Sequence, residues 1–552
     1  MPTGAELFAA ALRRLGVTHI FTLVGDHLNE ALQALDREGM EIIDTRHEAA
    51  AVHMADGYAR MTRRLGVSLV TGAPGHTNSI SGLAAAQATG VPVLAVSGAS
   101  DSRLRGRNAF QDMNQLPLVE GVAKYAGEPA YAAQIPHFVR HAARMALSGR
   151  PGVAHLSIPV NVFTESVDDP LRLPSGPVQI RRPGPEMRTV ERALALLARA
   201  ERPVAIAGGG AWWADAGPEL RTFIEAAQVP LFTITLSRGL VSDDHPLCFG
   251  YADPTLNPAA EAALRQADLV LLFGKRLDYR LRLGNLFAEN ARLVQVDIEP
   301  TEFGLNRRID AAIYSDVKLA LEALNETLAN LPRPHRPDWL ATLEKAQSDW
   351  QAEMEEIANQ PSEPLHALQF FRELKTRLPD DVTLCWDGGD FVHWGRALLP
   401  ARRPGRWLRL GALAGLGLGL PIGLTGQLLR PRERSVVITG DGSLGFYIAE
   451  LDTAVRFNLP LIVIVGNDGG WGIERELQRG RYGERTVACE LRHTRYDLVM
   501  EGFGGEGAHV TRLEDLGPAL DRAFASDKPF LLNVEVKGAG SPFTQYQLKK
   551  KT

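Results

Sequence analysis

Short apolar runs rich in β-branched residues alternate along this chain with segments in which apolar residues return every three or four positions. The runs read as buried strands and the periodic segments as amphipathic helices. Over 1–165 the pattern predicts helix Ala5–Leu15, strand His19–Leu23, a turn at Gly25-Asp26-His27, helix Leu28–Glu38 and strand Ile42–Asp44. Helix Glu48–Met61, strand Val67–Thr71, a loop over Gly72-Ala73-Pro74-Gly75-His76 and strand Val91–Ser97 follow. A second block, 188–330, carries strands Pro203–Ala207, Leu269–Phe273 and Leu293–Asp297. A third, 361–540, carries Val382–Trp386, Ser435–Thr439 and Leu461–Val465. A helix between the last two strands should bury Leu444, Ile448, Leu451 and Val455 on one face. This alternation predicts the α/β class, with three doubly wound parallel-sheet domains. The segments 166–187, rich in proline and charge, and 331–360, with repeated prolines followed by a charged helix, read as connections, and 541–552, ending in Lys549-Lys550-Lys551-Thr552, as a tail.

A length of 552 residues is too great for one core, which agrees with the three blocks. A net charge of −5 argues against general nucleic-acid binding. The most apolar stretch, Leu410–Leu428, is interrupted by glycines and suits a tight turn and a buried helix better than a membrane span. The N-terminal residues start an amphipathic helix and do not have a signal-peptide layout. The three cysteines, Cys248, Cys385 and Cys489, have no metal-binding spacing and are expected to be reduced, which suits a cytoplasmic location.

Candidate chemistry concentrates in Ser435–Gly472. A strand ends in Gly440-Asp441-Gly442-Ser443, a helix follows, and a second strand ends in Asn467-Asp468-Gly469-Gly470. In a parallel sheet both turns emerge at the carboxyl edge, where ligands bind. Asp441 and Asp468 would offer carboxylates to a hard cation, with backbone carbonyls filling further positions. Glycines allow close approach of a diphosphate, and a helix N-terminus favours its charge.

This arrangement resembles the thiamine-diphosphate binding motif of the acetolactate synthase, benzaldehyde lyase and 2-hydroxyacyl-CoA lyase group of enzymes. The resemblance implies Mg²⁺ held by Asp441, Asp468 and the Gly470 carbonyl. It departs from the family pattern at Asp468, where asparagine is usual, and so adds a negative charge at the metal. It names the blocks as a pyrimidine-binding domain (1–165), a central Rossmann-like domain (188–330) and a diphosphate-binding domain (361–540). Asp44-Thr45-Arg46-His47-Glu48 matches the family's Arg-His-Glu motif, which makes Glu48 the partner of N1′ of the aminopyrimidine. Gly72–Asn78 resembles the loop lining the pyrimidine, which implicates Pro74 and Asn78. Gly388 and Gly389 are expected beside the diphosphate, with Gly440, Gly442, Ser443 and Trp471. Leu413–Gly419 matches the segment that props the cofactor, with Leu416 as the prop and the Ala414 carbonyl as acceptor for the 4′-amino group. His27 and Gln111 are the expected proton relays.

The implied function is cleavage or formation of a C–C bond next to a carbonyl. Asp278-Tyr279-Arg280-Leu281 and Gly466–Trp471 look closest to the 2-hydroxyacyl-CoA lyases, which give formyl-CoA and an aldehyde or ketone reversibly. The Phe110-Gln111 loop also suits an acetolactate synthase. The pair His27 and Gln111 suits a benzaldehyde-lyase-like carboligase or 2-oxoacid decarboxylase. A reading of another class, a silent thiamine-diphosphate-binding regulatory subunit, is countered by retention of Glu48, Asp441 and Leu416. Lys275, Arg276, Arg280 and, elsewhere, Arg403 are cationic candidates for the phosphates of CoA. The glycine run 208–210 is too short for a dinucleotide fingerprint. The implied partners are a small acyl-CoA or 2-oxo or 2-hydroxy carbonyl substrate and a second copy of the chain. A homodimer or homotetramer with active sites between subunits is expected, without nucleic acid or membrane.

Overall fold

The structure, a computed structural model, describes residues 1–168, 178–329 and 334–549. It contains three six-stranded sheets, and every strand pair in them is parallel. The residues form two compact units.

The first unit comprises Met1–Arg181, Leu410–Arg432 and Gly445–Leu461. Its sheet has strands β1 (His19–Leu23), β2 (Glu41–Asp44), β3 (Gly66–Val70), β4 (Val93–Ala99), β5 (Tyr125–Gly127) and β6 (Val153–Pro159). Their order is β2-β1-β3-β4-β6-β5. Every residue of β3, β4 and β6 is buried, as in parallel strands covered by helices on both faces. The chain winds from β1 to one side and then crosses to β3 on the other. The crevice beyond the carboxyl ends of β1 and β3 is therefore the switch point of this sheet. Helix Glu48–Thr62 is buried along nearly its whole length. Its small residues admit helix Gly419–Leu429 closely: a Cβ on Gly57 would lie 3.3 Å from the Ile422 Cα, and Thr425 Oγ1 donates to the Met54 carbonyl (3.2 Å).

The second unit comprises Arg182–Arg409, Glu433–Leu444 and the chain from Ile462 onward. Its central sheet has β7 (Pro203–Ala207), β8 (Leu231–Thr233), β9 (Cys248–Tyr251), β10 (Leu269–Phe273), β11 (Arg292–Asp297) and β12 (Ala311–Tyr314), in the order β12-β11-β10-β7-β8-β9. Its third sheet has β13 (Thr383–Trp386), β14 (Trp407–Arg409), β15 (Ser435–Gly440), β16 (Ile462–Asn467), β17 (Glu506–Val510) and β18 (Phe530–Glu535), in the order β14-β13-β15-β16-β18-β17. The switch points fall between β7 and β10 and between β13 and β15.

Four expectations are corrected. Pro74 does not lie in a loop but opens helix Pro74–Thr89, a position where its missing N–H is no loss. The charged helix expected in the connection over 331–360 is present as the 23-residue helix Pro337–Asn359, whose Trp339, Leu343, Met354 and Ala358 are buried in the apolar core of this unit. The helix expected over Leu444–Val455 breaks into Asp441–Leu444 and Glu450–Arg456, because the chain leaves the second unit after Leu444. Leu451 and Ala454 carry its buried face, with Val455 half-buried. The expected tail forms helix Pro542–Lys549, while Lys550–Thr552 lies outside the described residues, as does 169–177 of the first connection. The third block is also not one packing unit, since 410–432 and 445–461 belong to the first unit. All three cysteines are free and buried. No helix among the described residues is long and apolar enough to cross a membrane.

Candidate functional site

In the first unit, Glu48 is the first residue of its helix and is buried. Asn78 Nδ2 donates to Glu48 Oε2 (3.0 Å), which brings together two of the expected residues. The helix start is fixed from behind. The Arg46 N–H donates to both oxygens of Glu450 (3.0 and 3.2 Å), and Thr453 Oγ1 adds a bond of 2.6 Å. Burial nevertheless pushes the Glu450 carboxyl up to about 7.

His27 follows β1 and is 4% exposed. The Gly72 N–H donates to its Nδ1 (3.3 Å), so that in the neutral ring Nε2 carries the proton. Burial lowers the His27 pKa, with Asp26 opposing, and this favours the neutral ring. The backbone leaves no slack: a Cβ on Gly98 would lie 2.5 Å from the His27 Cβ.

The loop after β3 is held by Gln115, which sequence reasoning did not single out. Gln115 Oε1 accepts from the Ala73 N–H (2.9 Å), and Nε2 donates to the Gly98 carbonyl (3.0 Å) and Ser157 Oγ (2.8 Å). These bonds hold Ala73 at φ 51°, a region that a non-glycine residue rarely adopts. Gln111 (φ 56°) and Ala414 (φ 52°) are held in the same region. Gln111 is half-buried in its loop, Ala414 is exposed and Leu416 is half-buried.

In the second unit, the loops after β13, β15 and β16 meet at the carboxyl edge of the third sheet. Asp441 directly follows β15 and is 2% exposed, and its Oδ2 accepts from the Gly470 N–H (3.0 Å). Ser443 Oγ donates to the Gly388 carbonyl (3.4 Å), and Gly389 turns at φ 113°. A Cβ on Gly442 would lie 2.8 Å from the Trp471 ring, and one on Gly440 would lie 3.3 Å from the Gly388 carbonyl oxygen. Burial, with Asp468 adding, pushes Asp441 up to about 7. Asp468 is pushed up to about 6, again chiefly by burial, against the pull of Arg475.

Arg475 was also not anticipated. Its Nη2 donates to Asp468 Oδ2 (2.6 Å) and its Nη1 to the Asp468 carbonyl (3.2 Å). A carboxylate in an asparagine position needs a counter-charge, and that was a signal available in the sequence. Asp387 and Asp390 are further buried carboxylates here. Ser541 Oγ (2.5 Å) and Thr544 Oγ1 (2.7 Å) donate to Asp390 Oδ1, while Asp390 Oδ2 has no hydrogen-bond partner among the described residues. Among the described residues no group of three or more His, Cys, Asp or Glu side chains forms a metal cluster. Any cation here would rely on two carboxylates, backbone and ligand oxygens.

The basic cluster of the central sheet is not a free anion site. Lys275 is 5% exposed and pairs with Asp278 (2.7 Å), and Arg280 pairs with Asp253 (3.0 Å). Arg276 reaches Glu302 at 3.9 Å. These cations neutralise neighbouring acids, a compensation invisible in a count of basic residues.

Family models match three stretches. Residues 2–118 match the N-terminal TPP binding domain of thiamine pyrophosphate enzymes, 190–324 their central domain and 387–534 their C-terminal TPP binding domain. The chain is similar to a probable acetolactate synthase of Mycobacterium bovis, with 34% identity over 96% of this chain and 95% of the relative. It is 33% identical to 2-hydroxyacyl-CoA lyase 2 of Homo sapiens over 92% of this chain and 85% of the relative. An acetolactate synthase isozyme 2 large subunit of Escherichia coli is 30% identical over 97% of this chain and 95% of the relative.

Proposed function

The chain belongs to the thiamine pyrophosphate enzymes, and from that premise we propose that it is a 2-hydroxyacyl-CoA lyase, cleaving its substrate to formyl-CoA and an aldehyde or ketone. One observation favours this over a flavin-containing synthase. At the switch point of the central sheet, where a dinucleotide diphosphate would take loop N–H groups, Gly208 N donates to the Phe273 carbonyl (3.0 Å) and Gly210 N to the Gly274 carbonyl (2.9 Å). The two loops close on each other.

The residues suit a divalent cation and a diphosphate. Asp441, buried, and Asp468, partly buried, are two carboxylates whose pKa values are raised in the protein alone, and a divalent cation would favour their ionised forms. We assign Mg²⁺ to Asp441, Asp468 and the Gly470 carbonyl. The diphosphate falls to Gly388, Gly389, Gly440, Gly442, Ser443 and Trp471. The pyrimidine falls to Glu48, Pro74, Asn78, Ala414 and Leu416.

Thiamine diphosphate supplies a nucleophilic carbon and an electron sink for C–C cleavage. Glu48 holds a proton at N1′, and Asn78 fixes the direction of its carboxylate. His27, neutral and with its proton on Nε2, donates from that atom toward the reacting oxygen, and Gln111 assists. Arg475 balances the charge that Asp468 adds. We assign the oligomer, at least a dimer, the task of joining Glu48 of one copy to Asp441 of another.

A second reading, acetolactate synthesis, is favoured by the Phe110-Gln111 loop, where Phe110 is 76% exposed beside a strained Gln111. The deciding experiment incubates the protein, Mg²⁺ and thiamine diphosphate with 2-hydroxyisobutyryl-CoA or mandelyl-CoA, with pyruvate in parallel. Formyl-CoA and acetone or benzaldehyde are expected, with loss of activity in EDTA and no flavin absorbance. Acetolactate formation with bound flavin would replace the lyase by the second reading.

A further inference from the structure

Behind the turn at Gly72–Gly75, the first unit buries a chain of polar side chains. His76, Ser97, His155, Ser157 and Gln115 are each at most 3% exposed. Ser97 lies on β4, His155 and Ser157 on the neighbouring β6, and His76 on helix Pro74–Thr89. Buried polar groups are costly unless they find partners, and these find one another.

The bonds have a fixed direction. The Gln115 carbonyl only accepts, so His76 Nε2 (3.0 Å) carries the proton and His76 Nδ1 accepts from Ser97 Oγ (2.9 Å). Ser97 Oγ in turn accepts from His155 Nε2 (3.1 Å). Burial lowers the pKa of both histidines, which favours the neutral rings this chain needs. The chain ends on the backbone of Gln115, whose side-chain N–H groups are spent on the Gly98 carbonyl and Ser157 Oγ. Its remaining atom, Oε1, accepts from the Ala73 N–H (2.9 Å).

Ala73 is where such an anchor is needed. Its φ of 51° and ψ of −97° suit glycine, and a residue with a Cβ stays there only when its surroundings hold it. Ala73 also stands between two residues assigned to the chemistry. Before it, the Gly72 N–H donates to His27 Nδ1 (3.3 Å). After it, a Cβ on Gly75 would lie 3.4 Å from Glu48 Oε1, and Asn78 Nδ2 donates to Glu48 Oε2 (3.0 Å). One turn therefore touches both groups, and relaxation of Ala73 would shift both contacts.

We propose that Gln115 is a positioning residue for this site. Held by the chain from His155 through Ser97 and His76, it keeps Ala73 in its strained conformation and so fixes the mutual placement of His27 and Glu48. The inference rests on the assignment of His27 and Glu48 to the chemistry, and not on the choice between lyase and synthase.

The test is a double-mutant cycle on the full chain between Gln115→Met and Ala73→Gly, with two readouts. One is amide hydrogen exchange over 72–78, with and without Mg²⁺ and thiamine diphosphate. The other is turnover of whichever substrate the wild type uses. Gln115→Met removes the acceptor and should speed exchange by about tenfold or more. It should lower kcat by about 10²-fold with KM within about twofold, as expected for misplaced reacting groups. Glycine adopts the Ala73 conformation without support, so in the Ala73→Gly background both effects should shrink to within about threefold. A residue that served only the stability of the sheet would lose as much in either background. Gln115→Asn, which draws the amide back along the chain, tests the same coupling if Gln115→Met does not fold. Unchanged exchange, unchanged kcat alongside faster exchange, or effects equal in the two backgrounds would overturn the proposal. Full turnover by Glu48→Gln would overturn the assignment of Glu48 itself, and the proposal with it, while leaving the exchange coupling in place.

Discussion

The two groups of expected site residues are held in opposite ways. Around Glu48, polar groups find partners within the first unit: Asn78 on Glu48, Gly72 on His27, Gln115 on Ala73, and Glu450 on Arg46. Around Asp441, the second unit gathers the buried carboxylates Asp441 and Asp390 and the partly buried Asp468, and provides Arg475 as a guanidinium partner to Asp468. Burial raises the pKa of each. The first group is a preorganised polar surface. The second is a charge arrangement that a cation and its ligands would complete.

The largest test of this contrast is Glu48→Gln. Turnover should fall by about 10²–10⁴, the usual worth of a positioned proton-transfer group. Stabilisation by Mg²⁺ and thiamine diphosphate, followed by thermal melting, should stay near wild type. Unchanged turnover would remove Glu48 from the chemistry.

A smaller effect is expected at the charged group. Asp468→Asn removes the nearer of two carboxylates from Arg475, whose side chain is 7% exposed, and leaves Glu490 at 3.4 Å. A loss of about 3 kcal/mol is expected from breaking such a pair. Arg475→Gln added to Asp468→Asn should recover much of it. A double-mutant cycle with no coupling would mean that Arg475 does not balance Asp468.

The smallest effect concerns the support behind Glu48. The Glu450 pKa, raised to about 7, lies above the ordinary carboxylate value of 4.5. Its stability contribution is therefore fully present below the unfolded pKa and is lost as pH rises through 7. The loss accumulates between the unfolded pKa and about pH 8 and is read as a falling melting temperature. Glu450→Gln, which cannot ionise, should flatten the melting temperature between about pH 5 and pH 8. An identical pH profile in the variant would show that Glu450 ionises freely.

The elements that were legible are those whose local pattern and final environment agree. Strands such as Pro203–Ala207 and Leu269–Phe273 are continuous apolar runs because both faces are covered, and the structure has them at those residues. The charged helix in 331–360 was legible as a helix, but charged residues crowd its exposed face and hide the wide spacing of Trp339, Leu343 and Met354, so its place in the core was not. The break before Glu450 was missed because apolar periodicity continues across a point where the chain changes units.

The sequence by itself determined the α/β class, the three sheets, the place of the Asp441 and Asp468 turns and the membership of the family. These rest on local spacing: apolar period, strand-end glycines and carboxylates at fixed separations. Only the tertiary structure decided which charges are answered. Lys275 and Arg280 resemble a phosphate site in sequence and are neutralised by Asp278 and Asp253, while Arg396, unremarked in sequence, is buried and forms no ion pair among the described residues. A charge is available to a ligand only after its neighbours have been counted, and those neighbours, such as Asp253 for Arg280, come from distant parts of the chain.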